Sequence, residues 1–357
     1  MHPYATLPDR SFWRRFVSDT AWRDLPFMDA PKFTLQASDR LATAGSCFAQ
    51  HITRYMSRVG LVPFVAEPAH PFVQASGPAL LDSYGQFSAR YGNVYTARQC
   101  LELVRQAAGT MAVVHDFVEQ EGRWFDLLRP GVPQQGFASR DEALADRAYH
   151  LHCVRRMFEQ VDVFVFTLGL TECWQNAASG HSYPVCPGTV RGRYQADLHR
   201  FHNFSCTEVV ADLEALIGEA RVLNPALKFI FTVSPVPLVA TRSAENVLVA
   251  SAYSKAVLRA AVGEVTARHD AALYFPSYEI ISQAGSFGQY LASDLREVTD
   301  RGVGHVMACF LAALYPHRGA AGTAAAVVVP AVQPARPSAP ASAEPPPACE
   351  ELFNDRR

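Results

Sequence analysis

The chain has 357 residues, of which 49% are hydrophobic and 18% are charged, and its formal net charge is −2. These apolar side chains suffice for a sizeable core in one large or two ordinary domains, and the small, balanced charge argues against a nucleic-acid partner. No stretch approaches the roughly 18 apolar residues of a membrane helix. The N-terminus lacks the apolar segment of a secretory signal. We therefore expect no membrane span and a cytoplasmic location.

The predicted elements alternate between strands and helices. The first strand, residues 40–45, ends in glycine, and after Ser46 the apolar residues from Phe48 to Val59 follow the spacing of one helix face. Further strands are predicted over residues 162–169, 228–237 and 271–280. Further helices are predicted over residues 96–109, 207–224, 244–270 and 302–315. Residues 110–150 and 175–205 are predicted to be irregular.

This alternation, with continuous apolar strands, is typical of an α/β domain whose mostly parallel sheet is buried on both faces. We assign residues 31–317 to that domain and residues 1–30 to an N-terminal extension packed on it. Residues 318–357 are rich in Ala and Pro, with seven prolines between Pro330 and Pro347, and this composition predicts a disordered tail. The eight cysteines are scattered without a C-x-x-C pair, which predicts free thiols.

Ser46 is the first candidate for chemistry. A serine between a strand and a helix N-terminus lies beside free backbone N–H groups and the positive end of the helix dipole, which stabilise an activated hydroxyl or an oxyanion. The alternative is structural, because serine is also a common helix N-cap. The local sequence does not separate the two roles.

The residues around Ser46 carry a family resemblance. "GSCFA" at residues 45–49 resembles the signature of the GSCFA family, which is similar to the SGNH/GDSL esterase superfamily. Other blocks occur in the order of that family: "YGNVYTARQ" (91–99), "TLGLTECW" (167–174), "RFHNFSCTEVVADL" (200–213), "FTVSPVPL" (231–238), "YFPSYEI" (274–280) and "DLREVTDRGVGHVM" (294–307). The resemblance implies a three-layer α/β/α sandwich with a flavodoxin-like sheet.

The resemblance also implies roles for particular residues. Ser46 matches the nucleophile, and Gly92 in "YGN" matches the glycine of the oxyanion hole. Thr171 in "GLTE" stands where the superfamily has an oxyanion asparagine, and Glu172 stands at the position of the acid. Because a threonine hydroxyl reaches less far than an amide, Asn93 is an alternative donor.

His305 matches the catalytic base, but the acid that would orient it is not in the expected place. The superfamily has Asp three residues before the base, whereas this chain has Gly302. Asp300 and Asp294 are the nearest acids before His305 and are both candidates. A Ser–His pair retains some activity without its acid, which mainly fixes the orientation and tautomer of the imidazole.

A second group of polar residues lies between the predicted strands. Five residues of types that bind zinc fall within 26 positions: His181, Cys186, His199, His202 and Cys206. Their spacing matches no structural zinc pattern, so we predict no metal and no cofactor. We expect His202 and Asn203 to line or brace the cleft instead.

Together with the resemblance, these residues favour a serine-dependent O-acyl esterase or O-acyltransferase that forms an acyl-enzyme at Ser46. The resemblance implies an acylated substrate, with carbohydrate as a candidate. The alternative is a non-catalytic module that binds a glycan or a partner. A Cys47 thiol nucleophile and a metal-dependent enzyme built on the residue 181–206 cluster remain weaker alternatives. The residues do not indicate the oligomeric state.

Overall fold

The computed structural model describes residues 2–46, 49–50, 55–56, 63–75, 81 and 83–316. Cys47, most of the helix predicted after Ser46, and the predicted tail at 318–357 lie outside the described residues. The described strands are β1 (Leu41–Gly45), β2 (Phe117–Gln120), β3 (Arg123–Asp126), β4 (Val163–Leu168), β5 (Glu172–Asn176), β6 (Ser182–Tyr183), β7 (His199–Asn203), β8 (Lys228–Val233) and β9 (Ala272–Tyr274). The described α-helices with complete bounds are α1 (Pro71–Ala75), α2 (Ala97–Ala108), α3 (Arg140–Gln160), α4 (Cys206–Leu223), α5 (Val247–Arg268), α6 (Ser277–Ser282) and α7 (Asp300–Leu314).

The centre of the fold is a four-stranded sheet in the order β1-β4-β8-β9, and every pair in it is parallel. Its strands are almost wholly apolar, as the continuous hydrophobic runs predict, because helices cover both faces. The fold class predicted from the sequence is therefore confirmed: a mixed α/β domain with a parallel central sheet between two helical layers.

Alternate side chains of each strand enter different cores. Phe164 and Phe166 of β4 face one core, in which α2, α3, α4 and α5 pack. Val163 and Val165 face the other core, which contains α6, α7 and side chains of the N-terminal segment, including Trp22 and Phe27. This period of two residues is the geometric signature of a strand with two buried faces.

Two predicted irregular regions contain regular structure. Residues 110–150 include the β2–β3 hairpin and the first half of α3, and residues 175–205 include β6, β7 and the end of β5, which form a three-stranded antiparallel sheet. The α3 sequence hides its helical period because charged and polar side chains, among them Arg147 and His150, occupy its buried face.

The last predicted strand is too long. β9 ends at Tyr274, and α6 begins at Ser277, directly after Pro276. Proline fixes its own φ and lacks an N–H, so it suits the start of a helix and interrupts a strand. No helix among the described residues has the length and apolar composition needed to cross a bilayer.

Candidate active site

Ser46 lies at the carboxyl end of β1, where the chain passes close to β4. Gly45 has φ +145°, and a Cβ at this position would lie 2.4 Å from the carbonyl oxygen of Thr167. Only glycine fits this approach without displacing the backbone. The close approach of the two strands places the Ser46 nitrogen 3.4 Å from the same Thr167 oxygen.

The Ser46 hydroxyl is buried and has no hydrogen-bond partner among the described residues. The residue is 3% exposed. Its carbonyl oxygen accepts from the Ala49 N–H at 2.8 Å, as at the start of a helix, but the capping bond predicted for the side chain is not formed within the described part of the chain. A buried hydroxyl without a partner loses free energy, so its retention at a sheet edge calls for a reason other than packing.

The segment 91–95 covers the end of β1. The Val94 N–H donates to the Gly45 carbonyl oxygen at 2.9 Å. Gly92 has φ +68°, which allows the chain to turn over the strand. The Asn93 side-chain oxygen accepts from Gln50 at 3.3 Å. The structure therefore brings the predicted oxyanion residues Gly92 and Asn93 to the strand end that carries Ser46.

The turn after β4 completes the same region. The N–H groups of Gly169 and Leu170 donate to the Tyr95 carbonyl oxygen at 2.8 and 3.1 Å. A Cβ added to Gly169 would lie 3.3 Å from the Ser46 Cβ, so the two backbones are neighbours. Thr171 is fully buried, and its hydroxyl also has no partner among the described side chains and backbone groups.

Two buried residues of α5 hold this turn in place. The Lys255 ammonium donates to the Gly169 carbonyl oxygen at 2.8 Å, and the Ser254 hydroxyl accepts from the Thr171 N–H at 3.0 Å. Lys255 is 3% exposed and Ser254 is fully buried. Sequence reasoning missed both residues, although a Ser-Lys pair on the inward face of an otherwise apolar helix is the signal that could have identified them.

An open cleft adjoins the segment 91–95. Its walls include Gln50, Gly92, Asn93, Tyr95 and Arg129. We call it the outer cleft. Ser46 is not among its lining residues, because the segment 91–95 lies over the end of β1.

His305 lies in the second turn of α7 among aromatic rings. Its ring stacks on Tyr290 with centroids 5.3 Å apart and meets the edges of Trp22 and Phe27 at 6.1 and 6.3 Å. Its Nε2 is 3.8 Å from the Cys309 sulfur. Burial lowers the pKa of His305 below its usual value, so the imidazole is neutral near pH 7. Among the described residues no hydrogen bond joins His305 to Ser46, and their pairing stays a prediction.

The two acids predicted beside His305 have other surroundings. Asp294 accepts hydrogen bonds from the N–H groups of Arg296 and Glu297, both at 3.0 Å, and these bonds lower its pKa. Asp300 is the first residue of α7. The carboxylate whose charge acts on the His305 pKa is Asp24, from the N-terminal segment. Asp24 could not be identified from the sequence, because it lies far from His305 in the chain and outside the family blocks.

The remaining predicted residues take bracing positions. Glu172 accepts from the Thr241 hydroxyl at 2.5 Å and from the Arg242 N–H at 3.3 Å, so its carboxylate holds the 241–242 loop. His202 Nε2 lies 2.8 Å from Glu208 in the first turn of α4. Asn203 stands opposite Glu172 in the β5–β7 ladder, and its side-chain oxygen has no partner among the described groups.

The histidines of the residue 181–206 cluster have hydrogen-bond partners of other kinds. His181 pairs with Asp116 at 3.3 Å and with Ser179 at 2.7 Å, while His199 accepts from the Gln195 N–H. Within the described ranges, no group of three or more His, Cys, Asp or Glu side chains has the arrangement of a metal site.

The sequence pattern of the GSCFA family matches residues 40–310, which is most of the chain. The chain belongs to the GSCFA family. The matched region of this GSCFA protein runs from the start of β1 to near the end of α7, and so contains the whole parallel sheet, Ser46 and His305. Neither the curated proteins nor the solved structures contain a significant match to it.

Proposed function

We propose that this GSCFA protein is a serine-dependent O-acyl esterase or O-acyltransferase with an SGNH-like site. The observation that carries the proposal is the buried Ser46 hydroxyl, which has no hydrogen-bond partner in the part of the chain that the structure describes. It lies at the carboxyl edge of a parallel sheet, where active sites of open α/β folds form. The Gly45 turn and the two loops near Ser46 support the proposal, because they bring the ends of β1 and β4 and the segment 91–95 together around this residue.

In the proposed reaction the Ser46 oxygen attacks the carbonyl carbon of an ester, and its proton passes to the neutral imidazole of His305. The C–O bond to the alcohol then breaks, and His305 returns the proton to the departing alcohol oxygen. Water or a second hydroxyl attacks the acyl-Ser46 intermediate in the same way. Both endings use the same residues, so hydrolysis and acyl transfer form one proposal.

The placement of the helices supports the pairing of Ser46 with His305. Met56, which is helical and follows Ser46, packs in the same core cluster as Val303 and Val306 of α7. Met56 and the helix that carries His305 therefore cover the same face of the sheet, whereas Ala49, nearer to Ser46, packs in the other core. Asp24 would take the role of the orienting acid, since its charge raises the affinity of His305 for a proton.

For the oxyanion hole we favour Gly92 and Asn93 over Thr171, because the first two line the outer cleft and Thr171 does not. Removing one such donor typically slows the chemical step by about 10²–10³-fold. We expect Asn93→Ala to show a loss of that size in acylation rate. Thr171→Val, which keeps the shape of the side chain, should change the rate much less.

A fluorophosphonate probe tests the proposal directly, because it labels only an activated serine. We expect the wild type to be labelled, Ser46→Ala to be unlabelled, and His305→Asn and Asp24→Asn to be labelled more slowly. Ser88→Ala is the matched control, because Ser88 is also a buried serine and lies on the neighbouring segment. Ser46 should still be labelled in this variant. The proposal would be contradicted if the folded wild type took no label, or if the wild type and Ser46→Ala were labelled equally well.

A non-catalytic binding module is the second candidate function. Two observations favour it: Ser46 is 3% exposed, and His305 packs among aromatic rings. It predicts no labelling together with binding of a ligand in the outer cleft, so the same probe experiment separates the two functions.

A further inference from the structure

A second cleft lies beside the outer cleft. It shares Tyr91, Asn93, Leu128 and Arg129 with the outer cleft as a common wall. We call it the inner cleft. The two clefts are therefore direct neighbours on the same residues.

Two polar atoms at the inner cleft have no hydrogen-bond partner among the described residues, although their own residues are buried. Arg147 is 2% exposed and His150 is fully buried, and both side chains line this cleft. They stand three residues apart on α3 and so share one face of the helix. Among the described groups, neither Arg147 Nε nor His150 Nε2 has a hydrogen-bond partner.

The other atoms of the two side chains are fixed. His150 Nδ1 lies 2.7 Å from the Glu67 carboxylate, and an Arg147 terminal nitrogen donates to Gln106 at 2.9 Å. Burial lowers the pKa of His150 to about 4, so the ring is neutral. Its single proton then lies on Nδ1, toward Glu67, and Nε2 presents a lone pair.

The unpartnered atoms thus form one donor and one acceptor. Arg147 offers an N–H, and His150 offers a lone pair. A third polar group of the cleft, Glu102, adds acceptor oxygens, although its carboxylate already accepts from the Ser182 N–H and hydroxyl at 2.9 and 3.1 Å. A carboxylate ligand has acceptors alone and would face both the His150 lone pair and Glu102. A hydroxyl group both donates and accepts, so a molecule with several hydroxyls has an acceptor for Arg147 and a donor for His150.

We propose that the inner cleft is a subsite for a hydroxyl-bearing part of the substrate, of the polyol or sugar class. This inference rests on the proposed function. The hydroxyl-rich molecule would be either the alcohol part of the ester or the acceptor of the acyl group. The inference concerns binding alone, so it is tested without turnover. Ordered water that satisfies the same two atoms is the competing occupant.

Titration of full-length Ser46→Ala protein with erythritol tests the subsite, with succinate as an anion of similar length. Methyl signals report the position of binding. Leu103 lines the inner cleft, Val190 the outer cleft, and Leu128 both. We expect erythritol to shift the Leu103 and Leu128 signals in a saturable manner and succinate to leave Leu103 unchanged.

Two matched variants on α3 separate recognition from damage to the fold. His150→Phe removes the lone pair and keeps a ring in place, and we expect erythritol to bind about tenfold more weakly, the loss of one hydrogen bond. His152→Phe makes the same change on the exposed face of α3 and should leave binding unchanged. Leu128→Phe places a larger side chain in the common wall of the two clefts. It provides a second variant if His150→Phe does not fold.

Erythritol that shifts Val190 alone, or not at all, would overturn the inference and leave water as the occupant. Succinate binding at Leu103 more tightly than erythritol would also overturn it. A labelled wild-type Ser46 with no polyol at Leu103 would leave the proposed function intact. Erythritol bound at Leu103 in a protein that takes no serine label would leave the subsite intact without the acyl chemistry.

Discussion

Single atoms determine the local geometry at Gly45. A Cβ there would approach the Thr167 oxygen to 2.4 Å, and the φ of +145° disfavours any other residue. We expect Gly45→Ala to lower the free energy of unfolding by about 2–4 kcal/mol, because the strain falls on paired backbones that cannot move apart. Gly218→Ala is the control, since this exposed glycine of α4 has open space around it and alanine stabilises helices by about 1 kcal/mol. Urea unfolding of the three proteins gives both values, and equal effects of the two substitutions would contradict the expectation.

His150 should make the protein sensitive to mild acid. Burial lowers its pKa from 6.5 to about 4, so the unfolded chain binds a proton between these values and the folded chain does not. Stability therefore rises with pH across that interval. From pH 7 to pH 5, this residue alone should remove about 2 kcal/mol of unfolding free energy. Urea midpoints measured at both pH values should show the loss in the wild type and a smaller loss in His150→Phe. An identical loss in both proteins would assign the acid sensitivity to other groups.

The parallel sheet and the position of Ser46 after its first strand could be predicted from the sequence, because both depend on local patterns. A glycine and a serine after an apolar run, and strands apolar on both faces, are patterns within a few residues. The surroundings of His305 were not predictable in this way. Its aromatic neighbours Trp22 and Tyr290, and the nearby carboxylate of Asp24, come from segments that only the tertiary fold brings to α7.

At the scale of elements, α5 acts as a brace for the turn after β4. Ser254 accepts from the Thr171 N–H, and Lys255 donates to the Gly169 oxygen. We expect Ser254→Ala to lower the unfolding free energy by about 1–3 kcal/mol, because it leaves a buried N–H without an acceptor. If this turn belongs to the active site, the rate of fluorophosphonate labelling at Ser46 should fall as well.

A serine one turn earlier in α5 provides the matched control. Ser251 is also buried, and its hydroxyl accepts from a backbone N–H, that of Leu238, at 3.1 Å. Ser251→Ala should cost similar stability in urea unfolding and leave the labelling rate of Ser46 near that of the wild type. If both variants slow labelling equally, the effect comes from general destabilisation and not from the turn.

The helix α3 shows why part of the fold escaped prediction. Its buried face includes Arg147 and His150, whose partners Asp126 and Glu67 lie in other segments of the chain. A pattern search expects apolar residues on a buried face and therefore scores this helix as irregular. Polar side chains are buried here because the fold supplies distant counter-charges, and no local sequence window contains that information.

At the scale of the whole molecule, a buried ion network joins α3 to three other parts of the chain. The Asp146 carboxylate of α3 forms ion pairs with Arg90 at 2.7 Å and with Arg129 at 2.8 Å. Arg90 also forms an ion pair with Glu67 at 3.4 Å. The network thus connects the segment around residue 67, the segment before α2 and the residues after the β2–β3 hairpin. Arg129 is also part of the wall between the two clefts.

Asp146→Asn tests whether this network holds the molecule together. The substitution keeps the shape of the side chain but leaves two buried guanidinium groups with one fewer counter-charge, and breaking a buried pair typically costs about 3–5 kcal/mol. Glu159→Gln on the same helix removes one charge from an exposed pair with Arg155 and should cost at most about 0.5 kcal/mol. Urea unfolding at low and high salt checks both values. We expect the Asp146→Asn loss to persist in 1 M salt, roughly where the Debye length falls to about 3 Å, because buried charges are screened little. A small or salt-sensitive loss would show that the network is solvated and that the clefts depend on apolar packing instead.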